Sequence, residues 1–153
     1  MFRDMGKVEE DVVPALLEVS EEALVLLLEA GTYLGWLAAL TQEPTTIIGG
    51  GGVHLLGRLP RMSEDRRSII QAGLPMIVNV YTEPRWRHQG VARTIMSEII
   101  AWAEVNGEET IFLHASAEGK PLYEQLGFVP TNEMKRPIAR TEIRLGTEPD
   151  ASP

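Results

Sequence analysis

The chain has 153 residues, 44% hydrophobic and 24% charged, a globular balance that suits one domain able to bury about 70% of the surface its unfolded form exposes. The absence of cysteine excludes disulfides, thiolate metal sites and a thiol nucleophile, and no apolar run approaches the roughly 18 residues needed to cross a bilayer. Fourteen Lys and Arg against 22 Asp and Glu give a formal net charge of -8, which makes nucleic acid a poor partner, and the acidic start is unlike a signal peptide, so a cytoplasmic protein is expected.

Apolar residues recur at helical spacing across residues 8–30 (Val12, Leu16, Val19, Ala23, Leu26, Leu27). Pro14 interrupts the pattern and Ser20-Glu21-Glu22 restarts it as an N-cap with an acidic first turn, which predicts one broken helix or two short ones, stopped at Gly31. Residues 33–40 and 45–56 read as a strand pair joined by the turn Thr41-Gln42-Glu43-Pro44. Within the second strand, Gly49-Gly50-Gly51-Gly52 lacks the lysine and helix that follow a phosphate loop. It reads instead as a bulged strand against which something packs closely. A polar connection at 57–73 leads to a strand at 75–82, a helix at 89–106 stopped by Gly107, a strand at 110–115 and a helix at 118–126 stopped by Gly127. A closing strand or tight hairpin is expected over 128–136, a further strand at 139–145, and a frayed tail at 146–153. The order predicts an α+β (mixed α/β) domain over residues 1–145, with one mixed sheet and helices on both faces.

The junction after the third long strand carries the chemistry. Residues 76–82 run into Glu83-Pro84-Arg85-Trp86-Arg87-His88-Gln89-Gly90, a basic glycine-bearing turn that opens a helix. The first turn of a helix has four N–H groups without intrahelical partners and the positive end of the peptide dipole, so such a turn can wrap a phosphate or pyrophosphate. Arg85, Arg87 and Arg93 concentrate positive charge there in an otherwise acidic chain; the plainer reading is a solvated basic helix start. The acidic part, nine carboxylates against two basic residues in 1–43, reads as an exposed helix face or as a surface for a cationic partner. His54, His88 and His114 are scattered without metal-ligand spacing, which argues against a metal site.

Arg87-His88-Gln89-Gly90-Val91-Ala92 resembles the Q/R-x-x-G-x-G/A signature of the GNAT superfamily of N-acetyltransferases, with alanine in the last place. About thirty residues on, Pro121-Leu122-Tyr123-Glu124-Gln125-Leu126-Gly127-Phe128 is similar to that superfamily's second landmark, a helix carrying L-Y-E-x-x-G-F. The likeness runs from about Val8 to Met134 and is closest to a subgroup with Leu113-His114-Ala115-Ser116 and Pro130-Thr131-Asn132-Glu133-Met134 segments. It implies a GNAT fold: a mixed, mostly antiparallel sheet whose fourth and fifth family strands, here 75–82 and 110–115, splay apart. It also implies acetyl-CoA as cosubstrate and transfer to a primary amine of a small molecule or peptide, by direct attack in a ternary complex.

By position, Val80, Tyr81 and Thr82 would bond the pantetheine arm, and Arg87, His88, Gln89, Gly90, Val91, Ala92 and Arg93 would form the pyrophosphate turn. Ser116 stands where many members have an asparagine that touches the cofactor; a serine donates the same bond with a shorter reach. Tyr123 matches the tyrosine that protonates the leaving thiolate, against the plainer reading of a packed ring whose hydroxyl bonds backbone. The Val80 N–H is the expected polariser of the thioester carbonyl. Where many members have an acid on the fourth strand this chain has Asn79, which cannot accept a proton. That role is therefore vacant or relocated: His114, which would share strand parity with Ser116, is the candidate base against the plainer reading of a packed polar residue, with Glu83 and Glu133 as rivals acting through water.

Met1-Phe2-Arg3-Asp4-Met5-Gly6 resembles the end of the subgroup's first helix, so the usual first strand and most of that helix are expected to be missing. A start placed too late, a homodimer partner covering the gap, and a less stable domain all fit that departure. Together with Asn79 it keeps a second reading open, an acetyl-CoA-binding module without catalysis. A nucleotide-phosphate binder would need a lysine and a magnesium-binding hydroxyl that the turn lacks.

Overall fold

All three helices end the same way, and that ending sets where each returns to the sheet. The computed structural model describes residues 12–63, 65–70 and 73–136. Helix α1 (Val13–Glu29), α2 (Val91–Val105) and α3 (Lys120–Gln125) are each followed by a glycine at positive φ: Gly31 at 66°, Gly107 at 70° and Gly127 at 88°. In each, two N–H groups reach back to carbonyls the helix leaves unpaired. Thr32 bonds Leu27 and Gly31 bonds Leu28, Glu108 bonds Ala103 and Gly107 bonds Glu104, and Phe128 bonds Tyr123 and Gly127 bonds Glu124, all at 2.9–3.1 Å. This Schellman closure needs a left-handed residue that only glycine adopts without strain, which is why all three stops were legible.

The expected break in the first helix does not occur: α1 is continuous from Val13. Pro14 falls in its first turn, where a missing N–H breaks no intrahelical bond and the fixed φ suits the helix, and Ser20 lies inside the element. Strands β1 (Tyr33–Leu40) and β2 (Glu43–Leu56) form the expected hairpin around a turn two residues shorter than anticipated. Within the polar connection lies a small separate hairpin that sequence reading missed, β3 (Arg61–Met62) with β4 (Ile69–Ile70). At its tip the Ser63 hydroxyl and then the Arg67 N–H hold the Asp65 carboxyl below the usual carboxylate range. Strand β5 (Leu74–Thr82) pairs antiparallel with β2 and parallel with β6 (Phe112–Leu113), giving the mixed order β1-β2-β5-β6.

Three sequence expectations need correction. The strand foreseen at 110–115 shrinks to two residues, and the helix foreseen at 118–126 to Lys120–Gln125. Residues 128–136 form neither strand nor hairpin among the described residues. Pro130 removes a ladder donor there, and the strand foreseen at 139–145 lies outside the described residues, as do the tail and residues 1–11. The domain limits at 1 and 145 therefore fall outside them too.

The core lies between the sheet and α2, where Val53, Met96 and Ile99 are fully buried and Ile77 and Ile95 nearly so. Trp36 meets Trp102 edge to face at 5.9 Å. α1 stays out of this cluster and leans on β1. The glycine run explains how α2 comes so close: a Cβ on Gly49 would stand 2.9 Å from Val91 Cγ1, and one on Gly51 3.1 Å from Ile95 Cγ2. On the other face the Tyr33 ring occupies the space a Gly52 side chain would need, with Leu34 O also 2.9 Å away. Gly52→Ala is therefore expected to lose about 1–3 kcal/mol of stability through overpacking, several degrees in thermal unfolding. Gly57→Ala, whose Cβ meets nothing within 4 Å, should stay within about 0.5 kcal/mol.

Candidate functional site: a forked sheet beside an uncapped helix

Two residue pairs hold β5 to β6, Met76 with Phe112 and Ile77 with Leu113, and beyond them the strands part. β5 continues to Thr82 without a β6 partner among the described residues, so one of its edges is left to bond something else. On its other edge the register with β2 slips. Gly52 pairs with Val78 and Gly50 with Tyr81, so two residues of β5, Asn79 and Val80, oppose the single Gly51. Asn79 absorbs this bulge at φ 56°, a conformation asparagine tolerates, and its side chain is exposed. Sequence reading placed Asn79 only as a missing acid; its tolerance of left-handed backbone was the signal for the bulge.

From Thr82 the chain turns through a short 3-10 segment, Pro84–Trp86, into α2. The Glu83 N–H bonds Ile48 O at 3.0 Å, and Gln89 Nε2 donates to Arg85 O at 2.9 Å. Arg87 Nε donates to Thr82 O at 3.2 Å while its guanidinium lies 5.9 Å from the Tyr81 ring centre, and Arg85 lies 5.9 Å from that of Trp86. His88 at φ 61° and Gly90 at φ 87° curl the backbone. The first intrahelical bond runs from Thr94 N to Gly90 O, and among the described residues no side chain caps the helix. The N–H groups of Val91, Ala92 and Arg93 thus lack intrahelical partners at the positive end of the dipole. Arg93 also bonds the Gln125 side chain, tying this turn to α3, a link that sequence reading missed.

Across the fork, Tyr123 sits half-buried on α3, edge to face with Phe128 at 6.1 Å and against the core. Its hydroxyl makes no hydrogen bond to a described residue. Burial raises its pKa above the ordinary 10.0 by disfavouring the phenolate. Ser116, expected beside His114 on a strand face, instead lies past the strand at the start of α3, where its Oγ accepts the Gly119 N–H at 3.0 Å. It keeps one proton to donate. His114 and Glu133, which sequence reading weighed as rivals, come together: Nε2 to Oε1 is 3.6 Å. Both line a cleft of about 1170 Å³ that Leu113, Ala115 and Tyr123 also face. Glu83 lies at the far end of β5 and His54 pairs across strands with Tyr33 and Met76. A smaller cavity of about 330 Å³, between Arg58, Arg61, Leu74 and Glu109, lies at the opposite end of β5 from this chemistry.

The fork and turn suit a long, amide-bearing molecule with a phosphate end. Thr82 Oγ1 is buried without a hydrogen-bond partner at the mouth of the fork, and nothing lies within 4 Å of where a Gly90 side chain would stand. A sheet that parts beside an uncapped helix defines an α+β protein built to hold such a ligand edge-on. The chain matches the acetyltransferase (GNAT) domain family over residues 65–142, half of its length, and belongs to that family. It is an acetyltransferase, and its cosubstrate is the family's acetyl-CoA.

Solved structures agree. A GCN5-related N-acetyltransferase from Ralstonia eutropha JMP134 is 28% identical, with a TM-score of 0.71 over 90% of this chain and 85% of that one. A predicted acetyltransferase from Clostridium acetobutylicum, solved with acetyl-CoA, is 22% identical, with a TM-score of 0.67 over 90% and 82%. AAC(6')-Iy, solved with the bisubstrate analogue CoA-S-monomethyl-acetylneamine, is 18% identical, with a TM-score of 0.59 over 88% and 83%. These last two likenesses are of fold. No curated protein matches the chain. Among the described residues no helix is long and apolar enough to cross a membrane.

Two measurements test this geometry. Gly90→Val forces a branched side chain into left-handed backbone, a strain of about 1–2 kcal/mol, and should weaken acetyl-CoA binding about tenfold in calorimetry. In an alkaline titration followed by ultraviolet absorbance, Tyr123→Phe should delete a tyrosine ionisation that lies above the ordinary 10.0. The stability that the neutral Tyr123 phenol contributes is intact below the unfolded-state value near 10. It is lost as pH climbs through the raised folded-state value.

Proposed function

We propose that the protein transfers the acetyl group of acetyl-CoA to a primary amine of a small molecule or peptide, by direct attack in a ternary complex in the cytoplasm. The observation that carries this reading is the fork itself: a β5 edge without a β6 partner among the described residues leads from the uncapped end of α2 toward a tyrosine hydroxyl with no partner among the described residues. The N–H groups of Gly90, Val91, Ala92 and Arg93, with Arg87, His88 and Gln89 around them, hold the diphosphate. Val80, Tyr81 and Thr82 bond the pantetheine arm through strand backbone, and Ser116 adds a donor from across the fork. The Val80 N–H polarises the thioester carbonyl, and Tyr123, held protonated by burial, supplies the proton that the departing sulfur needs. His114 is the base that makes the amine neutral.

One observation favours a second reading, a binding module without catalysis: Asn79, on the bulge, offers no proton acceptor. Thiol release on a panel of primary amines separates the two. An enzyme releases CoA in an amine-dependent way, whereas a module gains thermal stability from acetyl-CoA, about 2.7 kcal/mol at 100 times the dissociation constant, and releases none. For the enzyme, Tyr123→Phe should lower kcat about 100-fold or more with acetyl-CoA affinity kept. Full turnover in that variant would remove Tyr123 from the mechanism.

A further inference from the structure

Proton transfer from the acceptor has no acid at Asn79 to use, so the groups around the fork decide who performs it. Leu113, the last β6 residue paired to β5, packs toward the core. His114 follows it past the end of the strand, 74% exposed, on the wall of the cleft that Tyr123 also lines. Glu133 meets it from the loop after α3, 68% exposed, a contact between residues far apart in sequence. The other charged groups of the cleft are differently engaged: Lys120 and Glu124 pair one helical turn apart at 3.7 Å, and Lys135 and Arg136 are cations at its wall. Among the described residues, His114 with Glu133 is the one pair in the cleft that joins an imidazole to a carboxylate.

We infer that Glu133 is a positioning residue for His114. Its carboxylate stands 3.6 Å from Nε2, one small side-chain rotation from a hydrogen bond; that bond in the working enzyme favours the imidazole proton on Nε2, leaves the Nδ1 lone pair for the acceptor, and faces the imidazolium once that has formed. The inference rests on the acetyl-transfer reading and on His114 as its base. The acceptor ammonium gives one proton to Nδ1, and the neutral amine forms the C–N bond as the C–S bond breaks. Tyr123 gives its proton to the sulfur and is restored by the second proton from nitrogen, while the proton on His114 leaves to water. A solvent-exposed contact of this kind adds little to stability, so its loss changes chemistry without unfolding the chain.

The test uses Glu133→Gln, Glu133→Asp and His114→Gln in the full chain, assayed by thiol release with an amine that the wild type acetylates, alongside ring-nitrogen NMR of His114. Expected are a fall in kcat of about 100-fold for His114→Gln and about tenfold for Glu133→Gln, partial rescue in Glu133→Asp, and unchanged acetyl-CoA KM and melting temperature. The NMR should show the proton on Nε2 in wild type and mixed tautomers in Glu133→Gln. Full kcat in Glu133→Gln with His114→Gln impaired overturns the role of Glu133 and leaves the base in place. Full kcat in His114→Gln overturns both. Should no amine on the panel be acetylated, the acetyl-transfer reading fails, while mixed tautomers already present in wild type overturn the pairing without any acceptor.

Discussion

The arrangement depends on how closely α2 lies on β2. Gly49 and Gly51 remove the side chains that would hold the helix off the sheet, and Val91, Ile95 and Ile99 descend into that space against Trp36, Val53 and Ile77. Helix position then sets ligand position. With its body fixed on the glycine strand, the helix brings its N-terminus to the C-terminal end of β5, where the sheet has come apart. Packing density in such an interface leaves little freedom to drift, so a binding site made of backbone can be accurate without many committed side chains.

Electrostatics at that end run against the character of the whole chain. A formal net charge of -8 repels an anionic coenzyme at long range, yet Arg85, Arg87 and Arg93 lie around the start of α2, where N–H groups without intrahelical partners converge. Local charge and the helix dipole act within a few ångströms, whereas net charge is screened beyond about 8–10 Å at physiological salt, so the near field prevails at contact. The arginines are also held: Arg87 by Thr82 and Tyr81, Arg93 by Gln125. Groups fixed beforehand lose less freedom on binding.

Solvation differs between the groups around the fork. On β5 Asn79 takes up the bulge in left-handed backbone. Burial favours the neutral form of Tyr123, while His114 and Glu133 stand exposed, a contrast that suits the proposed division into acid and base. Different solvation of neighbouring groups is a general way for one site to hold acid and base at the same pH.

How far the sequence reaches can be judged residue by residue. Gly31, Gly107 and Gly127, the basic turn around Gly90 and the close-packed glycine strand were legible because each follows from local backbone geometry or from a motif a few residues long. The continuous α1 was misread because an N-cap signal at Ser20 outweighed the harmless place of Pro14, which only the position of the helix start reveals. Ser116 was misplaced because strand parity was carried past a strand that stops at Leu113, and no local signal marks where one strand leaves another. The slip of register at Asn79, the Arg93–Gln125 tie and the meeting of His114 with Glu133 were decided by tertiary structure alone. They join residues distant in the chain, and their geometry depends on how α2, α3 and the sheet settle against each other. Sequence by itself determined the caps, the periodicities and the basic glycine turn; the folded chain decided which side chains face one another across the fork, because that is fixed by packing rather than by neighbours along the backbone.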